Sequence, residues 1–370
     1  MTGVRRILGV TGTRAEFGLL VPVFRAIESR SELELLVAVC GAHLLPPART
    51  RDEVAASFVI AAEVAMQREG ESGRIADAHA FARGVHGFAQ VIDALRPDAV
   101  LVLGDRIEAF AAASASAIAG VRVAHIHGGD RAEGVADESM RHATSKLSHL
   151  HLCASAGSAE RLWRMGEDDS RIIVAGSPAL DGLELMTPLD EARFDELGRP
   201  ELVVLLHPTG RSDAEERRSA TILLEAARTR GRVLCLDPNF DPGREGIVEA
   251  IRASGLPSVS HLARPDWIGL LRRIRALLGN SSAGLLEAAA LRLWAVNIGP
   301  RQAGRERARN VIDVPIWNPD SVGAAIDTAL AAPAPLAGHP FGEGQAGPRI
   351  AAALSSPGFA RLTLTKRNSY

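Results

Sequence analysis

The segment HIHGGDRAEGVADESMRH, from His125 to His142, places three histidines and several carboxylates around a glycine pair. Imidazole and carboxyl groups exchange protons near neutral pH, and neighbouring groups separate their pKa values when one of them is kept from water. Asp137 lies four residues before Arg141, and Glu138 lies four before His142, so each pair shares a helix face. The segment predicts acid–base chemistry. The alternative is a solvated helix with surface ion pairs, with Asp137 as its N-cap.

Two histidines alternate along the end of a predicted strand in this segment. His125 and His127 should therefore point to opposite faces of the sheet. We expect one imidazole to be buried and hydrogen-bonded and the other to face the site. Gly128 and Gly129 allow the following loop to bend back.

Charged residues also follow two other apolar strands. In LVLGDRIEA, Asp105 and Arg106 come directly after a strand, at the edge where parallel sheets bind ligands. We interpret Asp105 as an acid–base group, the alternative being a helix N-cap. In VTGTRAEFG, Arg14 lies at a predicted helix N-terminus, which favours a phosphate or uridine nucleotide. The alternative there is a glycine turn with a surface arginine.

The second half of the chain repeats this arrangement. VVLLHPTG ends a strand on His207, which is either structural or a donor to a leaving phosphate. LLGNSSAGLLEAA places Asn280, Ser281 and Ser282 at a helix N-terminus, where hydroxyls and free amides bind anions. The alternative is ordinary capping by serine.

Together with His207 and the serine segment, two further features predict a diphosphate-binding pocket in the second half of the chain. Glu287 is expected in the second turn of the helix that follows the serines. In NIGPRQAGRERARN, Arg301 and Arg305 follow the next strand. Their guanidinium groups suit phosphate oxygens.

The elements that position these residues are short apolar runs alternating with helical patterns. Such alternation predicts βαβ units and parallel sheets buried on both faces. A turn-rich, charged stretch near residues 176–190 marks a domain boundary, after which the pattern restarts. We predict an α/β fold of two Rossmann-like doubly wound domains facing a cleft. The predicted domains are residues 1–178 and 179–345, with a helix and tail at 346–370 packing back on the first domain.

Composition excludes several classes of protein. The 370 residues include 42 Lys and Arg and 44 Asp and Glu, a net charge of −2, which argues against nucleic acid as the main partner. No apolar run reaches the roughly 18 residues of a membrane span. Cys40, Cys153 and Cys235 are scattered in apolar runs, which predicts buried thiols in a reducing, cytoplasmic compartment.

The motifs follow one another in the order found in a known enzyme family. The chain resembles the hydrolysing UDP-N-acetylglucosamine 2-epimerase family, which serves sialic acid and related nonulosonic acid synthesis. The motifs that carry the resemblance are TGTRAEFGLL, GDRIEA, HIHGGD, DESMRH, SKLSHLHL, GSPALD, LHPTG, GNSSAGLLEA and NIGPRQAGR. The resemblance implies a GT-B-like pair of domains. It also implies anti-elimination of UDP to a glycal, followed by hydration that releases a manno-configured sugar.

The resemblance also implies roles for individual residues. The expected catalytic residues are Asp105, His127, Asp137, Glu138 and His207. The expected substrate-binding residues are Arg14, Phe17, Gly18, His43, Arg106, Asp130, Arg141, His142, Asn280, Ser281, Ser282, Gly284, Glu287 and Arg301. No metal or nicotinamide cofactor is implied, and a homodimer or homotetramer is expected.

One position departs from the family pattern. Many members have HIEGG, with a catalytic Glu, where this chain has HIHGG. Either His127 takes that role or a nearby carboxylate such as Asp130 does. The HIHGG form resembles bacterial members that act on sialic-acid-like or legionaminic-acid precursors, which favours a 2,4-diacetamido-6-deoxy sugar nucleotide as substrate.

Three other functions remain open from the sequence. A GT-B glycosyltransferase would pass the sugar to an acceptor, and a non-hydrolysing epimerase would return an intact nucleotide sugar. A non-catalytic sensor would bind UDP without turnover.

Overall fold

The computed structural model describes residues 3–46, 49–71, 73–131, 138–239, 241–367 and 369. These residues form two compact units. Unit 1 contains the described residues up to 130, from 138 to 181 and from 341 onward; unit 2 contains those from 182 to 340, with Arg131. None of the described helices is both long and apolar enough to cross a membrane.

Unit 1 is built on a seven-stranded, all-parallel sheet with the order β3-β2-β1-β4-β5-β6-β7. Its strands are β1 (Arg5–Thr11), β2 (Leu33–Cys40), β3 (Ile60–Val64), β4 (Ala99–Leu103), β5 (Arg122–Ile126), β6 (Leu150–Cys153) and β7 (Ile172–Val174). The strand order reverses direction between β1 and β4, and ligands of doubly wound folds bind at such a point.

Helices cover both faces of this sheet. They are α1 (Arg14–Glu28), α2 (Arg51–Ala55), α3 (Arg74–Leu95), α4 (Ile107–Ile118), α5 (Glu138–Leu147) and α6 (Ala156–Arg164). One apolar cluster packs α1 on the sheet around Phe24, and a second packs α3 and α4 on the opposite face around Phe88. Because both faces are covered, strands such as β4 are apolar and buried throughout.

Unit 2 repeats the plan with six parallel strands in the order β10-β9-β8-β11-β12-β13. These are β8 (Leu202–Leu205), β9 (Val233–Leu236), β10 (Ser258–Val259), β11 (Ala276–Gly279), β12 (Trp294–Ile298) and β13 (Val311–Val314). Its helices are α7 (Glu191–Glu196), α8 (Asp213–Arg228), α9 (Arg244–Ser254), α10 (Arg264–Leu271), α11 (Glu287–Ala290) and α12 (Pro319–Ala331). The strand order reverses between β8 and β11.

The end of the chain returns to unit 1. Helices α13 (Ala346–Ser355) and α14 (Pro357–Arg361) follow unit 2 in sequence, and α13 packs against α1. The buried carboxylate of Asp181 accepts hydrogen bonds from the backbone N–H groups of Ala346 (2.8 Å) and Gly347 (2.6 Å). Asp181 therefore satisfies two of the amides that a helix N-terminus leaves unpaired.

The predicted α/β class with two doubly wound parallel sheets is confirmed. The three cysteines are buried free thiols, as predicted. Burial raises the pKa of Cys153 and of Cys235 to about 12, so both stay protonated.

Candidate active site

Asp105 lies beyond the end of β4, next to the reversal point of the unit 1 sheet. Its carboxylate forms an ion pair with Arg141 of α5, whose side chain is 3% exposed against 20% for Asp105. Arg141 also donates from Nη1 to the backbone carbonyl of His127, at 3.4 Å. The N-cap position of α4 is occupied by Arg106, so Asp105 is not the cap of that helix. A buried guanidinium here favours the ionised carboxylate, which is the form that removes a proton.

His125 is the buried and satisfied member of the histidine pair. Its Nε2 lies 2.7 Å from the carbonyl oxygen of Gly104, and its Nδ1 lies 3.1 Å from Ser145 Oγ. Burial lowers the pKa of His125 to about 3, so the ring is neutral at physiological pH. This imidazole ties the loop that carries Asp105 to α5.

The strand-alternation argument does not apply to His127, because this residue lies just beyond the strand. Strand β5 ends at Ile126, and His127 has a left-handed backbone with φ of 64°. The two-residue pleat therefore no longer sets its direction. His127 is also buried, at 4% exposure.

The imidazole of His127 is held from both ring nitrogens. Nδ1 lies 3.2 Å from Asp130 Oδ2, and Nε2 lies 3.1 Å from Ser177 Oγ. Asp130 is buried and accepts a 2.7 Å hydrogen bond from Ser158 Oγ. Gly129 permits this tight loop, because its φ is 76° and a Cβ there would lie 2.2 Å from the Ser158 carbonyl oxygen. A carboxylate–imidazole–hydroxyl chain of this kind can orient a ring for proton transfer.

The loop after β1 and the start of α1 place the three expected binding residues Arg14, Phe17 and Gly18 in different surroundings. Arg14 begins α1 and pairs with Glu53 at 2.8 Å, with about a third of its side chain exposed. Phe17 instead packs edge-to-face against His43, with ring centroids 6.0 Å apart. A Cβ on Gly18 would meet no atom within 4 Å, so open space lies beside this glycine.

His43 is part of the scaffold under this loop. Its Nε2 lies 3.0 Å from Thr11 Oγ1, and its Nδ1 lies 2.7 Å from Thr50 Oγ1. Burial lowers the pKa of His43 to about 4, which keeps it neutral. With both ring nitrogens engaged, the side chain fixes the end of β1.

Two buried glutamates, which the sequence motifs did not single out, lie under the same loop. Glu16 Oε2 accepts the backbone N–H of Gly12 at 2.9 Å. Glu108 Oε1 accepts from Gln67 Nε2 at 2.7 Å, and its Oε2 lies 3.4 Å from Arg106 Nε. A Cβ on Gly12 would lie 2.6 Å from Glu108 Cγ, so this glycine is required for packing against Glu108.

Burial raises the pKa of Glu16 to about 8; the negative charge of Glu108 adds to the rise, while the Gly12 N–H and Arg106 oppose it. The folded protein therefore keeps a proton that the unfolded chain releases near its ordinary pKa of 4.5. The free energy of unfolding should fall as pH rises from about 4.5 to about 8. Glu16→Gln keeps the acceptor for Gly12 but cannot ionise. We expect it to be more stable than the parent above that window, by roughly 2–4 kcal/mol, and to match it at the acid end.

Urea unfolding midpoints at about pH 5, 7 and 9 measure this difference. Glu28→Gln is the matched control, since Glu28 is an exposed glutamate of the same helix. A constant difference between Glu16→Gln and the parent across these pH values would show that Glu16 does not titrate there.

The helix α5 carries the remaining candidates of unit 1. Glu138 Oε1 and His142 Nε2 lie 3.2 Å apart, as the four-residue spacing predicted. Both side chains are partly exposed, so this pair fits the solvated alternative as well as a site role. Asp137 lies outside the described residues.

His207 follows β8 at the reversal point of the unit 2 sheet. The backbone N–H of Asn239 donates to its Nδ1 at 3.2 Å, which leaves the ring proton on Nε2. Burial and the positive charge of Arg301 together lower the pKa of His207 to about 3, against the opposing effect of Asp241. His207 is thus a neutral hydrogen-bond donor and not an imidazolium acid.

Asn280 holds together the loops that follow β8 and β11 in unit 2. Its Oδ1 accepts the backbone N–H of His207 at 2.7 Å, and its Nδ2 donates to the His207 carbonyl at 2.8 Å. Its own carbonyl accepts from Gln302 Nε2 at 2.8 Å and from Arg301 Nη1 at 3.3 Å. The Asn280 side-chain amide holds the His207 backbone from both its oxygen and its nitrogen, and the Asn280 carbonyl holds Arg301. Its contribution to ligand binding is to keep these two residues in place.

The expected single helix after Asn280 is divided in two. Ser282–Gly284 form one turn of 3-10 helix, capped by Ser281 Oγ, which accepts from the N–H of Ala283 at 3.3 Å. The carbonyl of Gly284 accepts from Asn310 Nδ2 at 2.9 Å. The serine hydroxyls therefore lie on a tight turn after β11.

Glu287 is the first residue of α11 and not a second-turn residue. Its carboxylate is buried, and Oε1 lies 3.5 Å from Arg264 Nη1. A buried carboxylate of this kind accepts hydrogen bonds from vicinal hydroxyl groups.

Sequence reasoning missed three contributors to these sites. Ser177, which contacts His127, follows β7 within the GSPALD motif, and its strand-end position was the available signal. Gln302 follows Arg301 after β12 and has the same signal. The backbone amide of Asn239 carries no side-chain signal in the sequence.

Comparison with known proteins identifies the family of this chain. A family model described as UDP-N-acetylglucosamine 2-epimerase matches residues 25–355. A Legionella pneumophila protein named UDP-N,N'-diacetylbacillosamine 2-epimerase (hydrolyzing) is 34% identical, covering 99% of this chain and 100% of that protein. A Neisseria meningitidis serogroup B protein named UDP-N-acetylglucosamine 2-epimerase is 31% identical, covering 84% of this chain and 83% of that one.

The fold also matches solved structures. That of the Methanocaldococcus jannaschii UDP-GlcNAc 2-epimerase, in complex with UDP-GlcNAc and UDP, superposes with a TM-score of 0.80 at 17% identity, covering 95% of this chain and 99% of that one. The family model spans most of the chain, and a full-length relative exceeds 30% identity. The chain therefore belongs to the UDP-N-acetylglucosamine 2-epimerase family of enzymes.

Proposed function

We propose that this enzyme is a hydrolysing 2-epimerase, which converts a UDP-2-acetamido sugar into UDP and a free manno-configured N-acetyl sugar. The observation that carries the proposal is the pairing of Asp105 with buried Arg141 beside the His127–Asp130 pair, at the ends of neighbouring strands β4 and β5. One group is an ionised carboxylate, and the other is an imidazole held by a carboxylate. Elimination and hydration need such a base and such an acid.

In the first step, Asp105 removes the proton from carbon 2 of the sugar. The electron pair of that bond forms a double bond between carbons 1 and 2. The bond from carbon 1 to the diphosphate oxygen breaks, and its electron pair leaves with UDP. The products of this step are UDP and a glycal. Arg141 keeps Asp105 ionised between turnovers.

In the second step, water adds to the glycal. A proton goes to carbon 2 from the face opposite the one it left, the oxygen of the water bonds to carbon 1, and the proton that this water gives up returns to the proton donor. Asp105 releases to solvent the proton that it took in the first step. We assign the proton donor to His127, whose ring is oriented by Asp130 and meets Ser177. Inversion at carbon 2 then follows from taking and giving the proton on opposite faces.

Departure of UDP is assigned to residues of unit 2. Arg301 supplies positive charge, and His207 donates from Nε2 as a neutral imidazole, both held by Asn280. Donors fixed in advance stabilise the charge that develops on the leaving diphosphate. Glu287 suits the ribose hydroxyls, and the serines after β11 suit phosphate oxygens.

The substrate favoured by this proposal is a UDP-2,4-diacetamido-2,4,6-trideoxy sugar. The support is the name of the full-length Legionella relative together with the HIHGG loop. UDP-N-acetylglucosamine is the second candidate, supported by the name of the Neisseria relative.

An NMR time course in deuterium oxide tests the reaction. Each nucleotide sugar is offered separately, and we expect free UDP and a manno-configured sugar that carries deuterium at carbon 2. The diacetamido substrate should turn over faster. An intact nucleotide sugar with deuterium at carbon 2 would instead identify a non-hydrolysing epimerase. UDP release only in the presence of an acceptor would identify a glycosyltransferase. UDP binding without turnover of either substrate would identify a sensor.

A further inference from the structure

The chain segment after α14 lies along unit 1 on the side of β6. Residues 362–367 and Ser369 are held there by contacts with several elements. Arg171 Nη2 donates to Thr363 Oγ1 at 3.0 Å, and His149 Nε2 lies 3.1 Å from the Leu364 carbonyl. The N–H of Ser369 donates to the Gly166 carbonyl at 3.0 Å. These contacts hold the segment, here called the end segment, against unit 1.

A buried carboxylate anchors the segment. Glu167, 2% exposed, lies 2.7 Å from Lys366 Nζ, 2.9 Å from His151 Nε2 and 3.0 Å from Lys146 Nζ. Burial alone would raise the pKa of Glu167, but hydrogen bonds from His151 and Lys366 outweigh it and lower the value to about 2. The carboxylate stays ionised, so it holds the ammonium group of Lys366 at this place.

The same ammonium group reaches the end of α5. Lys366 Nζ donates to the carbonyl of Lys146 at 2.8 Å and to that of Ser145 at 3.2 Å. These are among the last carbonyls of the helix; that of Ser145 also accepts the backbone N–H of Ser148 at 3.0 Å. A cation at this end complements the helix dipole. Lys366 thus caps α5.

Two sets of contacts connect the capped end of α5 with Asp105. Arg141, one turn before Ser145, carries the ion pair to Asp105. Ser145 Oγ contacts His125, which contacts the carbonyl of Gly104, the residue before Asp105. A shift at the end of α5 would therefore displace both the partner and the loop of Asp105.

We propose that Lys366 is a positioning residue for the Asp105–Arg141 pair, acting by capping α5 while held by Glu167. The proposal rests on the function proposed above in its assignment of Asp105 as the base. A misplacement of about 1 Å in a reacting group can cost on the order of a hundredfold in rate. The end segment, remote in sequence from the strands that carry the site, would in this way set the geometry of catalysis.

The test compares three variants. Lys366→Met removes the ammonium group and keeps an apolar stem, whereas Lys366→Arg keeps a cationic donor. Arg361→Met is the matched control, because Arg361 is an exposed cation of α14 whose side chain, among the described residues, donates within its own turn to the Pro357 carbonyl. Turnover is expressed per folded site, where hydrogen exchange of the α5 and β5 amides counts the molecules whose unit 1 is folded, so that partial unfolding of unit 1 does not enter the rate.

For Lys366→Met we expect kcat to fall on the order of tenfold with KM nearly unchanged, because the proposed function assigns the diphosphate contacts to unit 2. Lys366→Arg should recover most of the loss, and Arg361→Met should match the parent. A purely structural role for Lys366 would lower the number of folded sites without lowering the turnover of each site.

A second readout does not depend on turnover. With aspartate labelled at its side-chain carboxyl carbon, the NMR signal of Asp105 is assigned through Asp105→Asn. We expect this signal to move in Lys366→Met, to return in Lys366→Arg and to stay in Arg361→Met. An Asp105 signal or a kcat per site that remains at the parent value in Lys366→Met overturns the proposal. If the parent releases no UDP, the proposed function fails separately, and the NMR signal alone decides the role of Lys366.

Discussion

Asp105→Asn is expected to lower the rate of UDP release on the order of a thousandfold, while UDP binds nearly as tightly as to the parent. Asparagine matches the shape of aspartate and still accepts a hydrogen bond from Arg141, but it cannot take a proton from carbon 2. The effect should lie in kcat, because an interaction made only in the transition state is lost. The measurement is steady-state UDP release together with UDP calorimetry.

The control for this variant is Asp93→Asn. Asp93 is an exposed carboxylate of α3 that pairs with Arg96, also exposed. It should match the parent in both measurements. If Asp105→Asn kept a tenth or more of the parent's rate, Asp105 would not be the base, and Glu138 would become the next candidate in unit 1.

His127→Gln is expected to slow formation of the free sugar on the order of a hundredfold, with glycal accumulating in its place. Glutamine can occupy much of the space of the imidazole but cannot transfer a proton. Since elimination precedes hydration in the proposed mechanism, UDP release should be slowed less than sugar formation. NMR quantifies UDP, glycal and sugar in the same sample.

His79→Gln serves as the control, because His79 is an exposed residue of α3. His127→Glu adds a second comparison, since it restores the residue type that the family pattern has at this position. We expect it to recover sugar formation. Equal loss of UDP release and sugar formation in His127→Gln, with no glycal, would argue that His127 acts in the elimination step.

Much of the fold could be predicted from the sequence because the signals are local. A strand buried on both faces is apolar throughout, as in β4, and such runs alternate with helical patterns along the whole chain. Placing Asp105 at a sheet edge needed only the rule that ligands bind beyond the carboxyl ends of parallel strands.

The pairing within the site was less predictable. Spacing within α5 does not reveal that Arg141 forms an ion pair with Asp105, 36 positions earlier in the numbering. That contact depends on how α5 packs against α4 and β5, which spacing within one helix does not report. Strand alternation does not set the direction of His127, because the strand ends one residue earlier.

The burial of two acidic side chains was also not predictable from the sequence. Glu16 and Glu108 each lie in the first turn of a helix, where a carboxylate usually faces water and complements the helix dipole. Here both helices begin against the glycine loop, and the absence of side chains at Gly12 and Gly41 leaves room for Glu108. The combination of two small residues and two acids from distant segments has no local sequence pattern.

The return of the chain to unit 1 has a consequence for biosynthesis. The strands of unit 1 are all translated before residue 182, yet α13, which packs on α1, comes only after the whole of unit 2. Unit 2 is continuous from residue 182 to 340 apart from Arg131, so it can fold on the ribosome as soon as it emerges. Unit 1 is begun first and completed last. During translation, the surface of α1 and the carboxylate of Asp181 therefore stay uncovered until α13 emerges, and apolar surface exposed in this way makes a folding intermediate prone to aggregation.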